Sequence, residues 1–332
     1  MRLDNEQESV NIQDDRGAGG GLGSAFGGNS SAFGGGSGGS GGLVGVLIPL
    51  LLRTIGFRGI IILAVIYFAL KMTTGVDLLN MVNGGGGGVV MPQTSSMVQP
   101  NQTPTQLGST AKGTAASDPG KQFVAKVLNS TDEVWTKEFA DMGKQYVKPT
   151  LVLFSNFDKS GCGEAQSASG PFYCPADSKV YIDLAFYQEL KDKLGAPGDF
   201  AQAYVIAHEV GHHVQHLLGI TDQVDAQTAN ASKVDANRLS VRVELQADCY
   251  AGIWAQEAGV MSKVQIESGD IEEALNAASQ IGDDHLQKAA QGYAVPDSFT
   301  HGTSAQRVKW FKQGLTAKSI NDCNTFNTSN LG

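Results

Sequence analysis

The residues best suited to chemistry lie in one stretch, Tyr204 to Gly219, which reads YVIAHEVGHHVQHLLG. His208 and His212 are four positions apart, and in an α-helix such residues share a face, so both imidazoles can bind one metal ion. Glu209 is turned by about 100° from His208, which places its carboxylate beside that ion, where it can take a proton from a metal-bound water. The spacing is that of the zinc motif H-E-x-x-H and predicts hydrolytic zinc chemistry.

The residues around the motif favour a buried helix. The four residues before His208 are apolar, and a histidine pair in a buried helix needs a partner. Asp199 and Gln202 have the spacing of a capping box, and Gly219 is placed to end the helix. A pattern of this length also occurs by chance, so the metal prediction depends on these signals.

The same helix carries two further histidines, His213 and His216. His216 continues the face of the metal pair but lies about 12 Å from His208 along the axis, too far for both to bind one ion. We therefore predict His216 at the rim of the site. His213 is turned by about 100° from His212 and is predicted to be packed or exposed to solvent.

A second patterned helix, predicted from Leu239 to Ala258, carries two carboxylates on one face. Glu244 and Asp248 are four residues apart. Such pairs are usually exposed, but these lie among apolar residues, where an unpaired charge would be costly to bury. The pair is therefore a candidate for a buried polar site.

The C-terminal part of the chain offers a possible hydrogen-bond donor. Thr303 and Gln306 form a capping box for a last helix, which places His301 just before its N-terminus. A donor there suits the oxyanion of a tetrahedral intermediate. The alternative is a histidine that only packs in a turn.

Four cysteines give information about the compartment. None has the C-x-x-C spacing of a zinc ribbon, and the sequence allows three pairings. We favour Cys162 with Cys174, because that loop is short, and then Cys249 with Cys323. Two disulfides indicate an oxidising compartment, whereas four reduced, buried thiols are the alternative.

The first part of the chain differs in composition from the rest. Residues 1–42 are polar and then rich in glycine and serine, which predicts a disordered cytoplasmic tail. Residues 43–80 form a predicted membrane segment with a span at about 55–74, because the apolar run Gly59–Leu70 alone is only about 18 Å long as a helix. Residues 81–118 read as a flexible linker. The domain follows at 119–332.

The orientation of this span follows from its flanking charges. Four arginines precede it and one lysine closely follows it, so the positive-inside rule places the N-terminus in the cytoplasm and the large domain outside the bacterial inner membrane. A cleaved signal peptide and a buried core helix are the alternatives. The formal net charge of -9 argues against a nucleic-acid partner.

The remaining elements of the domain follow from periodicity and turn signals. We predict a helix from Lys121 that ends by Pro149, and a polar connection from Thr221 to Asn237. A third long helix is predicted for Ser268–Ala290, in which His285 is a surface or packed residue. Two strands, Thr150–Phe154 and Lys179–Leu184, lie on either side of the Cys162–Cys174 loop, and a short helix covers Tyr187–Leu194.

The combination H-E-x-x-H and, some thirty residues later, E-x-x-A-D is similar to the gluzincin pattern of thermolysin and of small membrane-associated gluzincins. The segments ESVNIQDDRG, GPFYCPAD, KVYIDL, HEVGHHVQ, ELQADC and PDSFTHGTSAQR together resemble bacterial neutral zinc metallopeptidases, a family of predicted membrane-anchored proteases. The resemblance implies that Glu244 is the third zinc ligand and that Asp248 accepts a hydrogen bond from His208. It also implies an α+β fold with a mostly helical catalytic core on a small sheet.

The stretch THGTSAQR resembles the T-H-P-S-x-x-R element of membrane gluzincins, with Gly302 where those carry proline. This resemblance implies that His301 stabilises the oxyanion and that Arg307 supports the site. Arg307 could instead bind a carboxylate such as Glu244 or Asp248.

We therefore expect a membrane-tethered zinc endopeptidase with one Zn²⁺ per chain and Glu209 as general base. Its partners would be a peptide or protein substrate and the lipid bilayer, and the strand Lys179–Leu184 or the adjoining disulfide loop would pair with the substrate. Two other functions are possible: a zinc-binding scaffold of the cell envelope without turnover, or an amidase acting on peptidoglycan peptides.

Overall fold

The computed structural model describes residues 1–17 and 118–332, and these form an α+β unit. Within them a small sheet and a hairpin accompany a larger helical part, as predicted. The strands are β1 (Ile12–Asp14), β2 (Thr150–Phe154), β3 (Phe157–Ser160), β4 (Gly163–Gln166), β5 (Phe172–Cys174) and β6 (Lys179–Asp183). The helices are α1 (Pro119–Asp141), α2 (Ala185–Asp192), α3 (Asp199–Leu217), α4 (Ile220–Thr228), α5 (Lys233–Met261), α6 (Asp270–Gln280), α7 (Asp283–Gln291) and α8 (Ser304–Gly314).

The main sheet has the order β1-β2-β6-β5. β1 and β6 both pair with β2 in parallel, and β5 pairs with β6 in antiparallel. The side chains of Leu151–Phe154 are all buried, which explains the unbroken apolar run of β2. Of the two elements predicted to offer a free edge, the Lys179–Leu184 strand does not, because β6 lies inside the sheet. The disulfide loop does, because β5 lies within it and is one of the two edge strands, β1 being the other.

Helix α3 runs through the middle of the helical part, against α1, α5 and α6. Its side chains from Ala203 to Ala207 are buried, as the apolar sequence before the motif predicts. At Gly211, a Cβ would lie 3.1 Å from the backbone oxygen of Ala247 on α5, tighter than most real contacts. A glycine at this position therefore lets the two helices approach closely, which brings the carboxylates of α5 to the histidines of α3.

The N-terminal residues 1–17 are part of this unit. Ile12 is paired with Leu151 across the sheet, and Lys126 donates a hydrogen bond of 2.9 Å to the backbone oxygen of Leu3. The buried carboxylate of Glu6 accepts hydrogen bonds from the Asn129 amide and from a backbone N–H of the loop after α5. The prediction of a disordered tail from residue 1 is therefore wrong for residues 1–17; the glycine-rich remainder lies outside the described residues.

This packing bears on the predicted membrane topology. A chain that crossed a bilayer once between residues 17 and 118 would place residues 1–17 and the domain on opposite sides. In the structure, residues 1–17 and the domain share one sheet and belong to one compact unit. The predicted span at 55–74 and the linker lie outside the described residues. Among the residues described, no helix is long and apolar enough to cross a membrane.

Several element boundaries differ from the prediction. The polar connection Thr221–Asn237 is partly helical, because α4 begins at Ile220 and buries Val224. The predicted helix Ser268–Ala290 is two helices, α6 and α7, which meet at Gly282, where a Cβ would clash with the backbone of Ser304. Helix α3 begins after Gly198 rather than with an Asp199 cap, and the Glu273 carboxylate accepts a hydrogen bond of 3.0 Å from the Phe200 N–H instead.

Other local predictions are confirmed. Gly219 follows α3 in the left-handed conformation with φ 74°, and Thr303 and Gln306 form a reciprocal capping box at α8. The disulfides join Cys162 to Cys174 and Cys249 to Cys323. The first ties the tip of the β3–β4 hairpin to β5. The second ties α5 to the C-terminal segment.

Candidate metal centre

Three side chains from two helices meet at one point. His208 and His212 project from α3, and Glu244 projects from α5. The His208 Nε2 atom lies 3.2 Å from His212 Nε2 and 3.1 Å from Glu244 Oε2, and His212 Nε2 lies 3.5 Å from Glu244 Oε1. The ligand atoms of the three residues all lie within 4.8 Å of one another.

These separations fit a tetrahedral zinc site. With Zn–N distances of about 2.05 Å, two ligand atoms of a regular tetrahedron are about 3.3 Å apart. The observed separations of 3.1 to 3.5 Å scatter around that value. A set of two imidazoles and one carboxylate is the donor set of catalytic zinc sites that leave a fourth position open. The residues present therefore fit zinc.

The charges around the triad favour a cation. Burial opposes protonation of His208, but the charge and hydrogen bond of Asp248, together with the hydrogen bond to Glu244, raise the pKa of His208 to about 10. Burial likewise opposes protonation of His212, whose pKa is nevertheless raised by the Glu244 charge. Burial alone would raise the pKa of Glu244, but the charges of the two histidines hold it well below its ordinary value. The site thus stabilises added positive charge at the imidazoles, which a bound metal ion supplies.

Asp248 fixes the orientation of His208. Its fully buried carboxylate accepts a hydrogen bond of 2.9 Å from His208 Nδ1, which leaves Nε2 directed at Glu244. It also accepts two bonds of 2.9 Å from the Nε and one terminal nitrogen of Arg307, and one from the Tyr204 hydroxyl. Burial would raise the pKa of Asp248, but the charges and hydrogen bonds of Arg307 and His208 together lower it to about 2. The carboxylate is therefore ionised when it holds His208.

Arg307 was predicted as a catalytic or supporting residue, or as a partner of a carboxylate. The structure buries its guanidinium to 3 % exposure against Asp248. The side chain also forms part of the cleft wall. Its bidentate contact with Asp248 agrees with the prediction that Arg307 is the partner of a carboxylate.

A second hydrogen-bond chain orients His212. Its Nδ1 donates to the side-chain oxygen of Gln215 at 2.9 Å, and the Gln215 amide donates to Gln246 at 3.0 Å. Gln246 in turn donates to the backbone oxygen of Cys323 at 3.2 Å. The Cys249–Cys323 disulfide is thus linked, through two buried amides, to a predicted metal ligand.

Glu209 lies in the wall of a cleft of about 590 Å³ that contains the metal triad. Its side chain is 7 % exposed. The position one residue after His208 keeps it off the face that carries the ligand atoms. Tyr173 of the edge strand and His301 line the same cleft, so these elements surround one space.

His301 is held in the cleft by Asp283, the first residue of α7. One Asp283 oxygen accepts backbone hydrogen bonds from Thr300, His301 and Gly302, and the other lies 3.3 Å from His301 Nδ1. This contact with Asp283 raises the pKa of His301, although burial opposes it. Gly302 has φ 90°, which proline cannot adopt, so the chain here cannot follow a T-H-P backbone.

The remaining histidines lie outside the triad. His285 is exposed on α7, in agreement with the prediction of a surface or packed residue. His213 is fully buried and donates from Nε2 to the backbone oxygen of Val147 at 2.6 Å. His216 lies beside Tyr173, whose hydroxyl is 2.7 Å from His216 Nδ1.

Three residues of the site escaped the sequence analysis: Tyr204, Gln215 and Asp283. Tyr204 is four residues before His208 and Gln215 three residues after His212, so helical spacing placed both next to a ligand. The signal that could have identified both residues was a polar side chain on a helix face that is otherwise apolar and predicted to be buried. Asp283 gave no such signal, because its partner His301 lies in a loop eighteen residues later.

Comparison with known proteins gives matches over most of the chain. Residues 1–326 match the family described as "Putative neutral zinc metallopeptidase". An uncharacterized Escherichia coli K12 protein, YpfJ, is 45% identical over 332 residues, which cover 99% of this chain and 100% of the relative. An uncharacterized Mycobacterium tuberculosis H37Rv protein, Rv2575, is 43% identical over 215 residues, covering 61% of this chain and 70% of the relative. No solved structure matches significantly.

Proposed function

Because the chain belongs to the neutral zinc metallopeptidase family, we propose that it is a zinc-dependent endopeptidase with a gluzincin-like site. His208, His212 and Glu244 would hold one zinc ion. The observation that carries this proposal is the tetrahedral spacing of their ligand atoms, 3.1 to 3.5 Å apart, inside a cleft also lined by Glu209.

The geometry of the site supports a separate role in hydrolysis for each residue around the metal. When bound, zinc supplies the positive charge that lowers the pKa of a water molecule to about 7. Glu209, which lines the cleft beside the ligands, accepts the proton of the attacking water and delivers it to the departing amine. Asp248 and Gln215 hold the two imidazoles with Nε2 toward the shared point.

The proposed metal site is tested by zinc analysis of the purified full-length protein. We expect one zinc per chain in the wild type and loss of most of it in His208→Ala and Glu244→Ala, because each removes one of three protein ligands. His285→Ala is the matched control, since that histidine is exposed and outside the triad, and it should keep its zinc. Equal zinc content in all variants would exclude this site.

We assign the oxyanion donor to His301. It lines the cleft with Glu209, and its contact with Asp283 favours the protonated imidazole, which can donate a hydrogen bond to developing negative charge. A hydrogen-bond donor of this kind contributes about 3 kcal/mol to transition-state stabilisation in comparable sites.

This assignment predicts a pH effect for Asp283→Asn. His301 loses its proton as pH rises through its pKa, so kcat/KM falls on the alkaline side. Removing the Asp283 charge lowers the pKa of His301, so the alkaline fall in kcat/KM should begin at lower pH in the variant. In the pH range where the variant has lost the proton of His301 and the wild type still keeps it, kcat/KM of the variant should be about tenfold below that of the wild type. The asparagine oxygen still accepts the three backbone bonds, which preserves the loop.

The measurement is kcat/KM for casein cleavage as a function of pH. Asp284→Asn is the control, because Asp284 accepts from the Ser304 N–H at 2.8 Å rather than from His301. If kcat/KM of Asp283→Asn falls at the same alkaline pH as in the wild type, His301 is not the donor.

The substrate is proposed to be an extended peptide. β5 pairs with β6 on one side only within the described sheet, and its residues Phe172 and Tyr173 line the cleft. An edge strand with free backbone groups can pair with an extended chain and direct it past the metal triad.

We further propose an oxidising compartment for the domain. Both disulfides of the structure support this assignment, and the apolar sequence from Leu43 to Leu70 supports attachment to a membrane. The packing of residues 1–17 on the domain supports placement of both on the same side of that membrane. Protease treatment of intact spheroplasts that removed a C-terminal tag but spared an N-terminal tag would exclude this arrangement.

A further inference from the structure

Two histidines of the metal helix have no part in the proposed chemistry, yet both contact the same tyrosine. The Tyr173 hydroxyl lies 2.7 Å from His216 Nδ1 and 3.0 Å from His213 Nδ1. Tyr173 is the middle residue of β5, the edge strand of the sheet. One side chain therefore joins this strand to α3, in the turn that follows His212.

The direction of each hydrogen bond can be derived. His213 Nε2 is 2.6 Å from the Val147 oxygen and must carry a proton to donate to it. In a neutral imidazole that carries its proton on Nε2, the Nδ1 atom is an acceptor. The Tyr173 hydroxyl consequently donates to His213, and its oxygen accepts from the Nδ1–H of His216. The hydroxyl of Tyr173 thus both donates and accepts a hydrogen bond.

The rest of β5 is fixed by different contacts. Phe172 is stacked on Tyr181 of β6, with ring centroids 5.0 Å apart. Cys174 is bonded to Cys162 of the hairpin. Both contacts hold β5 to the sheet and the hairpin, whereas Tyr173 joins it to α3, with its ring 5.3 Å from that of His213. The distance between the edge strand and the metal helix thus depends on Tyr173.

We propose that Tyr173, held by His213 and His216, is a positioning residue that sets the edge strand β5 at the correct distance from the metal triad for peptide binding. The proposal rests on the proposed peptidase function. Because the hydroxyl of Tyr173 is engaged by two histidines, the residue acts on substrate affinity and takes no part in proton transfer or oxyanion binding. It accounts for two histidines of the HEVGHHVQH sequence that bind no metal.

Tyr173→Phe tests the proposal, because it removes the hydroxyl and keeps the ring. We expect KM for fluorescein-labelled casein to rise about tenfold, which corresponds to the loss of a hydrogen bond of ordinary strength, with kcat within about twofold of wild type. Zinc content should not change. Hydrogen exchange at the Phe172–Cys174 amides should become about tenfold faster, because the strand is released from α3.

Two further variants make the test specific. His216→Ala should behave like Tyr173→Phe, and His216→Asn should restore KM, since the asparagine amide can donate from the position of Nδ1. Tyr187→Phe is the matched control: the Tyr187 hydroxyl is buried without a partner among the residues described, so its removal should change neither KM nor exchange in β5.

The outcomes separate this proposal from the function on which it rests. Unchanged exchange in β5 of Tyr173→Phe would overturn the positioning role whether or not the protein cleaves casein. Faster exchange with unchanged KM, or a fall in kcat at constant KM, would also overturn it. A zinc-loaded wild type that cleaves nothing would refute the peptidase function, and hydrogen exchange would still decide whether Tyr173 fixes the strand.

Discussion

Replacing Glu209 by glutamine is expected to lower kcat for casein cleavage by about three orders of magnitude while the protein keeps its zinc. Glutamine has the shape of glutamate but cannot accept the proton of the attacking water, and general base catalysis contributes about 10² to 10⁴ in rate. Zinc should stay because Glu209 is outside the set of His208, His212 and Glu244, whose ligand atoms lie within 4.8 Å of one another. The measurements are kcat and zinc content on the same preparation.

The matched control for this variant is Glu189→Gln. Glu189 lines the same cleft but forms an ion pair of 2.7 Å with Lys193 on the protein surface. Its replacement removes one negative charge from the cleft without touching the metal triad, so kcat should stay within about twofold of wild type, as for a surface ion pair of small energy. Similar losses in both variants would assign the effect to cleft charge rather than to a base.

The comparison of wild type with Glu209→Gln also tests the two alternative functions, a zinc-binding scaffold and an amidase. A Glu209→Gln variant that matches an inactive wild type, with zinc bound in both, would indicate a zinc-binding scaffold. Glu209-dependent release of peptides from purified cell wall, without cleavage of casein, would indicate an amidase.

The part of the metal centre that lies on one helix could be predicted from the sequence. His208, Glu209 and His212 lie within five residues, and the helical period alone determines which of them share a face. Glu244 required a resemblance, because no local rule relates residues on two different helices. The close approach that joins them depends on Gly211, whose missing side chain lets the Ala247 backbone come near. That contact became apparent only from the packed structure.

The N-terminal segment shows why the remainder of the fold was not predictable. β1 has three residues, too few for a periodic signal, and it pairs with a strand almost 140 positions later. Its polar composition read as a tail, since Glu6 gains partners only when it is buried beside Asn129 and the backbone of Lys263. Long-range pairing of this kind outweighs local composition.

The polar network around the metal centre has a similar origin. Tyr204 and Gln215 were within helical reach of the ligands, but their roles depend on partners from α5, namely Asp248 and the backbone of Val243. Side chains of these types also occur on solvated helix faces. The burial of Tyr204 and Gln215 distinguishes them from solvated side chains, because a buried polar group must be hydrogen-bonded.

The largest effect on stability is expected for Arg307→Met. The variant leaves the fully buried Asp248 carboxylate without its charged partner, and breaking a buried ion pair from one side costs about 3–5 kcal/mol in the free energy of unfolding. Zinc affinity should fall about 10- to 100-fold as well, because Asp248 no longer holds a defined position against His208. Urea unfolding of the zinc-loaded protein at pH 7 and zinc titration measure the two effects.

Arg242→Met separates this effect from the loss of any half-buried arginine. One terminal nitrogen of Arg242 donates to the backbone oxygens of Thr325 and Thr328, so its removal leaves no buried charge, and a loss of about 1–2 kcal/mol is expected. Adding Asp248→Asn to Arg307→Met should recover part of the lost stability, because the orphaned charge is then gone. Zinc affinity should stay low, since the asparagine is no longer an ionised acceptor for His208. Equal losses of stability in the two arginine variants, with zinc affinity unchanged in both, would show that Asp248 does not need Arg307 to hold the metal ligand.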